Sequence, residues 1–105
     1  MMASRISYTP EEARALLPTV RATLLQLAVE RRRTDADADE RLATIRALLE
    51  HLGSLGVIVR DLESGLVDFP TQRDGEPAWL CWRLDDPDLA HWHTTREGFA
   101  TRKPL

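Results

Sequence analysis

The sequence is poor in the features that mark several large classes of protein. Its single cysteine excludes an internal disulfide and makes a reducing cytoplasm the expected compartment. No stretch approaches the ~20 consecutive apolar residues of a membrane-spanning helix, and the first residues lack the apolar core of a signal peptide. The net charge of -3 argues against a general binder of nucleic acid or anionic membrane. We expect a cytoplasmic protein with no membrane partner.

What the sequence does contain is the composition of one small globular domain. Its 105 residues, 43% of them hydrophobic and 30% charged, predict a single domain over residues 1–105. A chain of this length buries only about 60–70% of the surface that its unfolded form exposes. Because the resulting stability margin is thin, we expect a homo-oligomer, with a dimer as the first expectation.

The first half of the chain predicts an antiparallel helical hairpin over about residues 10–52. Thr9, Pro10 and Glu12 have the pattern of a helix start with a capping box. Residues 34–39, TDADAD, are polar and predict the link between two helices, with one continuous helix as the alternative. Apolar residues recur at heptad spacing on both sides of this link: Ala13, Leu17, Val20, Leu24 and Leu27 before it, and Leu42, Ile45, Leu49 and Leu52 after it.

After Gly56 the apolar period changes from about 3.6 to 2, which predicts an antiparallel sheet over about residues 57–93. Strands are expected at residues 57–62, at 66–69 with Pro70 as the end, at 79–84 and at 89–93. The tail, residues 94–105, is expected to be irregular and docked by Phe99. The predicted fold class is therefore α+β, a helical hairpin packed on a three- to four-stranded antiparallel meander.

The register of the first hairpin decides how two aspartates are interpreted. A three-residue loop at 63–65 pairs Arg60 with Asp68 as a cross-strand ion pair. A two-residue loop would instead oppose Asp61 to Asp68, and two facing carboxylates need a metal or a shared proton. The first register is favoured because the second puts Arg60 among apolar side chains. It places the following residues on one apolar face: Val57, Val59, Val67 and Phe69.

Several stretches resemble one family. GVIVRDLESGLVDFP, LCWRLDDPDLAHWH and GFATRKPL, together with YTPEEARALLP near the start, resemble the small prokaryotic family catalogued as domain of unknown function 2203. The resemblance spans almost the whole chain and implies a helical hairpin with a sheet, and no established activity. The positions that match the family signature are Asp61, Gly65, Leu66, Asp68, Phe69, Cys81, Trp82, Trp92, His93, Gly98 and Arg102.

His91 and His93 form the most chemically suggestive element. Two residues apart on a strand, they project from one face as a pair of metal ligands would. A third ligand would have to come from Asp68, Asp61 or Cys81. The favoured interpretation is instead that His93 is a buried histidine, hydrogen-bonded to one of the aspartates. No cofactor is therefore the first expectation, and a divalent metal is the alternative.

The second hairpin determines where Cys81 points. A four-residue loop, DDPD, pairs Leu84 with Leu89 and puts Cys81 on the face opposite both histidines. This register disfavours a Cys–His zinc site, and it also disfavours Cys81 as a nucleophile with His93 as base. Cys81 is expected to be a small buried hydrophobe.

The two aspartates and the tail arginine complete the candidate functional cluster. Asp68 is expected to pair with Arg60 or Arg102, and Asp61 to be a turn residue. The alternative is that the two aspartates act as an acid–base pair or bind a hard cation. The whole candidate cluster is Asp61, Asp68, Cys81, His91, His93 and Arg102.

No motif specifies a reaction, so the leading prediction is a non-catalytic, self-associating structural or interaction domain. Strands that are apolar on both faces favour burial on one side by the helices and on the other by a partner subunit. The first alternative is a small metal-binding protein or metallohydrolase with His91, His93 and Asp68 as ligands and Asp61 as base. The second is a nucleic-acid-binding module that uses Trp79, Trp92 and the arginines at 31–33, which the acidic composition disfavours.

Overall fold

The structure, a computed structural model, describes residues 6–35, 37–97 and 101–105. In these ranges the fold is two helices followed by a five-stranded antiparallel sheet of order β1-β2-β3-β4-β5. The predicted α+β class is confirmed, with one strand more than expected. The elements are α1 (Pro10–Arg32), α2 (Ala38–Ser54), β1 (Ile58–Asp61), β2 (Leu66–Arg73), β3 (Glu76–Trp82), β4 (His91–Thr94) and β5 (Lys103–Pro104).

Both helices begin at capping residues. The Thr9 side chain accepts a hydrogen bond from the Glu12 backbone N–H, and the Glu12 carboxylate accepts one from the Thr9 N–H, which completes the predicted capping box. Asp37 caps α2 by accepting from the backbone N–H groups of Asp39 and Glu40. The polar link therefore separates two helices, and the alternative of one continuous helix is wrong.

The hydrophobic core lies between α1 and one face of the sheet. Burying each side chain of leucine size stabilises the fold by roughly 1.5–3 kcal/mol. Trp82 and Phe69, both fully buried, are the largest fully buried side chains described. The core cluster contains Ala13, Leu17, Val20, Leu24, Leu27, Leu52, Val57, Val67, Phe69, Leu80, Trp82 and Leu89.

Strand β2 does not end at Pro70, as expected, but continues to Arg73. The Pro70 carbonyl accepts a hydrogen bond from the Tyr8 N–H at 2.8 Å. A strand residue presents its N–H and C=O on the same side, so the missing N–H of Pro70 also faces away from β3. The strand therefore loses no ladder hydrogen bond to β3 at this proline.

The tail is not irregular, because its residues form strand β5 at the edge of the sheet. Lys103 pairs with Trp92, and the Leu105 N–H donates to the Ala90 carbonyl at 2.8 Å. The expectation that Phe99 docks the tail lies outside the described residues, as does the signature position Gly98.

Neither predicted register of the first hairpin is correct. Val59 pairs with Val67 and Asp61 with Leu66, so the loop is 62–65 and Arg60 is the extra residue of a β-bulge. Compared with the favoured register, the pairing of Val59 is shifted by two residues. A shift of two preserves the faces, so the predicted apolar face does pack into the core or against it. The predicted ion pair also forms, with Arg60 Nε 2.8 Å from an Asp68 oxygen.

The register predicted for the second hairpin is wrong by one residue, and here the faces are exchanged. The predicted pairing of Leu84 with Leu89 would place Trp92 opposite Cys81, whereas the structure places His91 there. The connection is longer than a four-residue loop because Leu89 leaves the strand and is fully buried, with its carbonyl bonded to Arg14. Cys81 therefore lies on the same face as both histidines. That face carries buried polar groups, so the expectation of two apolar faces is wrong.

Candidate functional site

Three adjacent strands each contribute one potential metal ligand to the face that points away from α1. Asp68 of β2, Cys81 of β3 and His93 of β4 are only 1%, 1% and 4% exposed. Their ligand atoms all lie within 4.8 Å of one another. Over the described ranges, no other group of three or more histidine, cysteine or acidic side chains has this spacing. The register of β3 against β4 is what brings Cys81 into the cluster.

Both ring nitrogens of His93 are engaged. Nδ1 lies 2.9 Å from the Thr94 carbonyl, which can only accept, so Nδ1 carries a hydrogen. Nε2 lies 3.1 Å from each oxygen of the Asp68 carboxylate. The Asp68 carboxylate therefore occupies the side of the ring from which Nε2 could approach a substrate. A catalytic base needs a free lone pair directed at substrate, and His93 has none in this state.

Asp68 has a second partner in the cationic side chain of Arg60. The Arg60 guanidinium donates through Nε at 2.8 Å and stacks over the Trp79 ring at 5.1 Å. The Arg60 side chain is 43% exposed, whereas that of Asp68 is 2% exposed. The ion pair therefore links the buried cluster to the surface.

Cys81 is an inert thiol in this environment. Burial, and next the negative charge of Asp68, raise the pKa of Cys81 to about 11, against a smaller opposing effect of Arg102. The thiol is protonated at neutral pH, so it is a weak nucleophile. Bound to a metal ion it would instead be deprotonated.

His91 and Arg102 form a second pair beside the cluster. Arg102 Nη2 donates to His91 Nδ1 at 2.9 Å and lies 3.4 Å from an Asp86 oxygen. Arg102 Nη1 is 4.0 Å from the Cys81 sulfur. His91 shares a face with His93 but does not belong to the group of three ligand atoms.

Asp61 lies apart from the cluster, as the last residue of β1. Its carboxylate accepts from the Ser64 hydroxyl at 2.6 Å and from the Ser64 N–H, and these hydrogen bonds lower the pKa of Asp61. Of the candidate residues, the structure thus brings together Asp68, Cys81 and His93 and sets the His91–Arg102 pair beside them.

A pocket of about 270 Å³ opens onto the three ligands. Sequence reasoning missed Leu66, Thr95 and Glu97 as pocket residues, and nothing in their spacing signals the role. Hydrogen bonds lower the pKa of Glu97, first that from Lys103 at 2.7 Å and then those from Thr94. The lining is Arg60, Leu66, Asp68, Trp79, Cys81, His93, Thr95 and Glu97.

The aromatic and basic residues expected for nucleic acid do not form one platform. The register puts Trp79 beside His93 and Trp92 beside Leu80, so the two rings lie on opposite faces of the sheet. The Arg73 guanidinium stacks over the Trp92 ring, with its Cζ 4.4 Å from the ring centroid. Arg33 forms ion pairs with Glu30 in the last turn of α1 and with Asp35 in the helix link.

The helical hairpin leaves apolar side chains in contact with solvent. On α2, Leu42 and Leu49 are 54% and 36% exposed, and on α1 Leu25 and Val29 are 52% and 58% exposed. A shallow groove on α2 is lined by Leu42, Ile45, Arg46, Leu49 and Glu50. Within the described ranges neither helix is long and apolar enough to cross a membrane.

These features define a small α+β protein in which a helical hairpin covers one face of a meander sheet and three potential metal ligands converge on the other. The model of the family described as Uncharacterized conserved protein (DUF2203) matches residues 25–105, and the chain belongs to this family. The expected membership is confirmed over that range, which begins after the opening stretch. No curated protein and no solved structure matches the chain.

Proposed function

We propose that this protein binds a divalent metal ion of the zinc class through Asp68, Cys81 and His93. One observation carries the proposal: the three ligand atoms are buried, within 4.8 Å of one another, and face a pocket. A mixed oxygen, sulfur and nitrogen set favours Zn²⁺ and similar ions over Mg²⁺ or Ca²⁺, which prefer oxygen ligands. The ligand set predicted from the sequence is His91, His93 and Asp68, so the structure replaces His91 with Cys81.

The spacing and the outer contacts support this ligand set. Zinc bonds of about 2.0–2.3 Å hold tetrahedral ligand atoms roughly 3.3–3.8 Å apart, so the side chains need to close by about 1 Å. Metal-bound histidines usually donate their other ring N–H to a carbonyl or carboxylate. His93 already makes that bond through Nδ1 to Thr94, which leaves Nε2 for the metal.

The charges of the site agree with a divalent cation. A thiolate, a carboxylate and a neutral imidazole carry two negative charges, which match a divalent ion. Binding replaces the contact between His93 and Asp68 and releases the proton of Cys81, so metal affinity rises with pH. Three protein ligands and an open pocket are the pattern of catalytic zinc sites, so metal-assisted hydrolysis is the activity to assay. Asp61, the base expected from the sequence, does not line the pocket, whereas Glu97 does.

The test is metal analysis of protein purified without an affinity tag, followed by cobalt substitution. We expect one metal per chain and, with Co²⁺, an absorption band from the cobalt–thiolate bond. Cys81→Ser removes the band, and His93→Ala lowers the affinity at least about tenfold. The matched control is His51→Ala, because His51 is exposed on α2. A wild-type protein that holds no stoichiometric metal at neutral pH contradicts the proposal.

We propose self-association through the helical hairpin as the second function, because of the apolar side chains exposed there. The occupant of the α2 groove is a second copy of the chain, with a dimer as the simplest assembly. Arg46 and Glu50 border the groove, so a two-fold arrangement can pair the arginine of one copy with the glutamate of the other. A cytoplasmic location remains part of the proposal, supported by the single cysteine.

A further inference from the structure

The pocket that contains the proposed metal ligands adjoins a second pocket of about 370 Å³, and the two share Trp79 and Thr95. The first pocket has a larger polar share than the second, and it contains the Arg60 guanidinium. The second is mostly apolar and includes Ile6, Pro70, Pro77 and Ala78 among its lining residues. Trp79 therefore stands between a charged compartment and an apolar one, an arrangement suited to a ligand with two chemically different ends.

Arg60 is held as a donor for an anion. Its Nε donates to Asp68, and its guanidinium stacks over Trp79, so two contacts fix the plane of the group. Among the described residues, its terminal nitrogens Nη1 and Nη2 have no hydrogen-bond partner, and the side chain is 43% exposed. A fixed guanidinium with two free donors matches the two oxygens of a carboxylate.

The charges around Arg60 select a monoanion. Two acidic side chains, Asp68 and Glu97, also line the pocket. Both already have partners: Glu97 is paired with Lys103, whose Nζ lies 2.7 Å from it, and Asp68 with Arg60 and His93. One guanidinium among these carboxylates suits a carboxylate with one charge better than a phosphate group with two.

We propose that the two pockets together bind a small carboxylic acid with an apolar body. The carboxylate bonds to Nη1 and Nη2 of Arg60, and the body packs along Trp79, Pro70 and Pro77. The inference deepens the proposed function, on whose pocket it rests, by naming the class of ligand. The carboxylate contact is nevertheless made by Arg60 and does not require the metal.

The probe is octanoate, titrated into chelator-treated full-length protein by calorimetry, with tryptophan fluorescence as a second signal. We expect octanoate to bind about tenfold more tightly than either acetate, which lacks the body, or 1-octanol, which lacks the charge. Arg60→Gln is expected to lower the affinity for octanoate about tenfold and to leave the affinity for 1-octanol unchanged. The retained binding of 1-octanol shows that this variant is folded. The matched control is Arg73→Gln, because Arg73 also stacks on a tryptophan but lines neither pocket.

Three outcomes overturn the inference. These are equal affinity for octanoate and 1-octanol, wild-type octanoate affinity in Arg60→Gln, and tighter binding of octyl phosphate than of octanoate. The same protein, assayed for metal, separates this inference from the proposed function. Octanoate binding without metal binding overturns the metal proposal alone, and metal binding without octanoate binding overturns this inference alone.

Discussion

At the scale of single residues, the buried Asp68 carboxylate organises the polar side of the sheet. It accepts from Arg60 and contacts His93, and its side chain is 2% exposed. Removing one partner of a buried ion pair leaves the others uncompensated, at a cost of about 3–5 kcal/mol. Because Arg60 is half-exposed and can turn to water, we expect the lower end of this range for the loss of Asp68.

The variant Asp68→Asn should therefore lower the free energy of unfolding by about 3 kcal/mol in urea denaturation. The control is Asp61→Asn, which alters an exposed carboxylate bonded only within its own turn and should cost less than about 1 kcal/mol. Equal losses in the two variants would mean that the Asp68 network contributes no special stability.

The raised pKa of Cys81 predicts a fall in the free energy of unfolding at alkaline pH. Its folded-state pKa is raised from 9.0 to about 11, so the folded protein binds this proton more tightly than the unfolded chain does. Stability therefore decreases as the pH rises from about 9 to 11, by about 2–3 kcal/mol. Unfolding free energies of the metal-free protein should fall more steeply in this window than those of Cys81→Ser, whose hydroxyl does not titrate. Tyr8, whose pKa is also raised, is common to both proteins. Parallel curves would contradict the prediction.

At the scale of elements, Gly65 closes the first hairpin under two constraints. Its φ is +68°, and a Cβ at this position would lie 2.6 Å from Cγ of Leu84. Gly75, in the next hairpin, has φ +80° and open space where a Cβ would be built. Both glycines have the left-handed conformation, but only at Gly65 would a Cβ meet another side chain. Comparing alanine substitutions at the two positions therefore separates the cost of the conformation from the cost of the steric clash.

We expect Gly75→Ala to lower the free energy of unfolding by about 1–2 kcal/mol, the cost of a left-handed alanine. Gly65→Ala should lose about 1–3 kcal/mol more, because Leu84 has to move. Thermal or urea unfolding of the two variants measures the difference. Equal losses would indicate that Leu84 adjusts freely.

The two hairpins explain how much of the site could be predicted from the sequence. In the first hairpin, the predicted pairing of Val59 is two residues from the observed one, which leaves Val57 and Val59 on the apolar face, and the ion pair of Arg60 with Asp68 is predicted correctly. The second was shifted by one residue, which moved Cys81 to the ligand face. The sequence could not indicate this, because the loop length depends on Leu89 joining the core, a tertiary contact.

At the scale of the whole molecule, the helices were predicted best and the tail least well. The capping box and the polar link are local signals, and both mark real helix boundaries. Strand β5 has only two residues, Lys103–Pro104, and forms through its pairing with β4. A strand of this length has no periodicity to recognise, so only the folded sheet reveals it.

The exposed side of the helical hairpin predicts a concentration-dependent dimer. Leu42→Glu and Leu49→Glu should shift sedimentation velocity towards the monomer, because a charge would be buried in the interface without a partner. The control is Ile58→Glu, which changes an apolar residue of comparable exposure, 37%, on strand β1. A wild-type protein that is monomeric at micromolar concentration contradicts self-association.

Because Asp68, Cys81 and His93 come from three consecutive strands, connection length decides which side chains meet on that face. Deleting one residue from the segment 83–90 would slide β4 by one place and present Trp92 and Thr94 where His91 and His93 now lie. A length change in the link before Ala38 would leave the three strands as they are. Tolerance of insertions and deletions along the gene is therefore expected to be uneven, high between the helices and very low between Trp82 and His91.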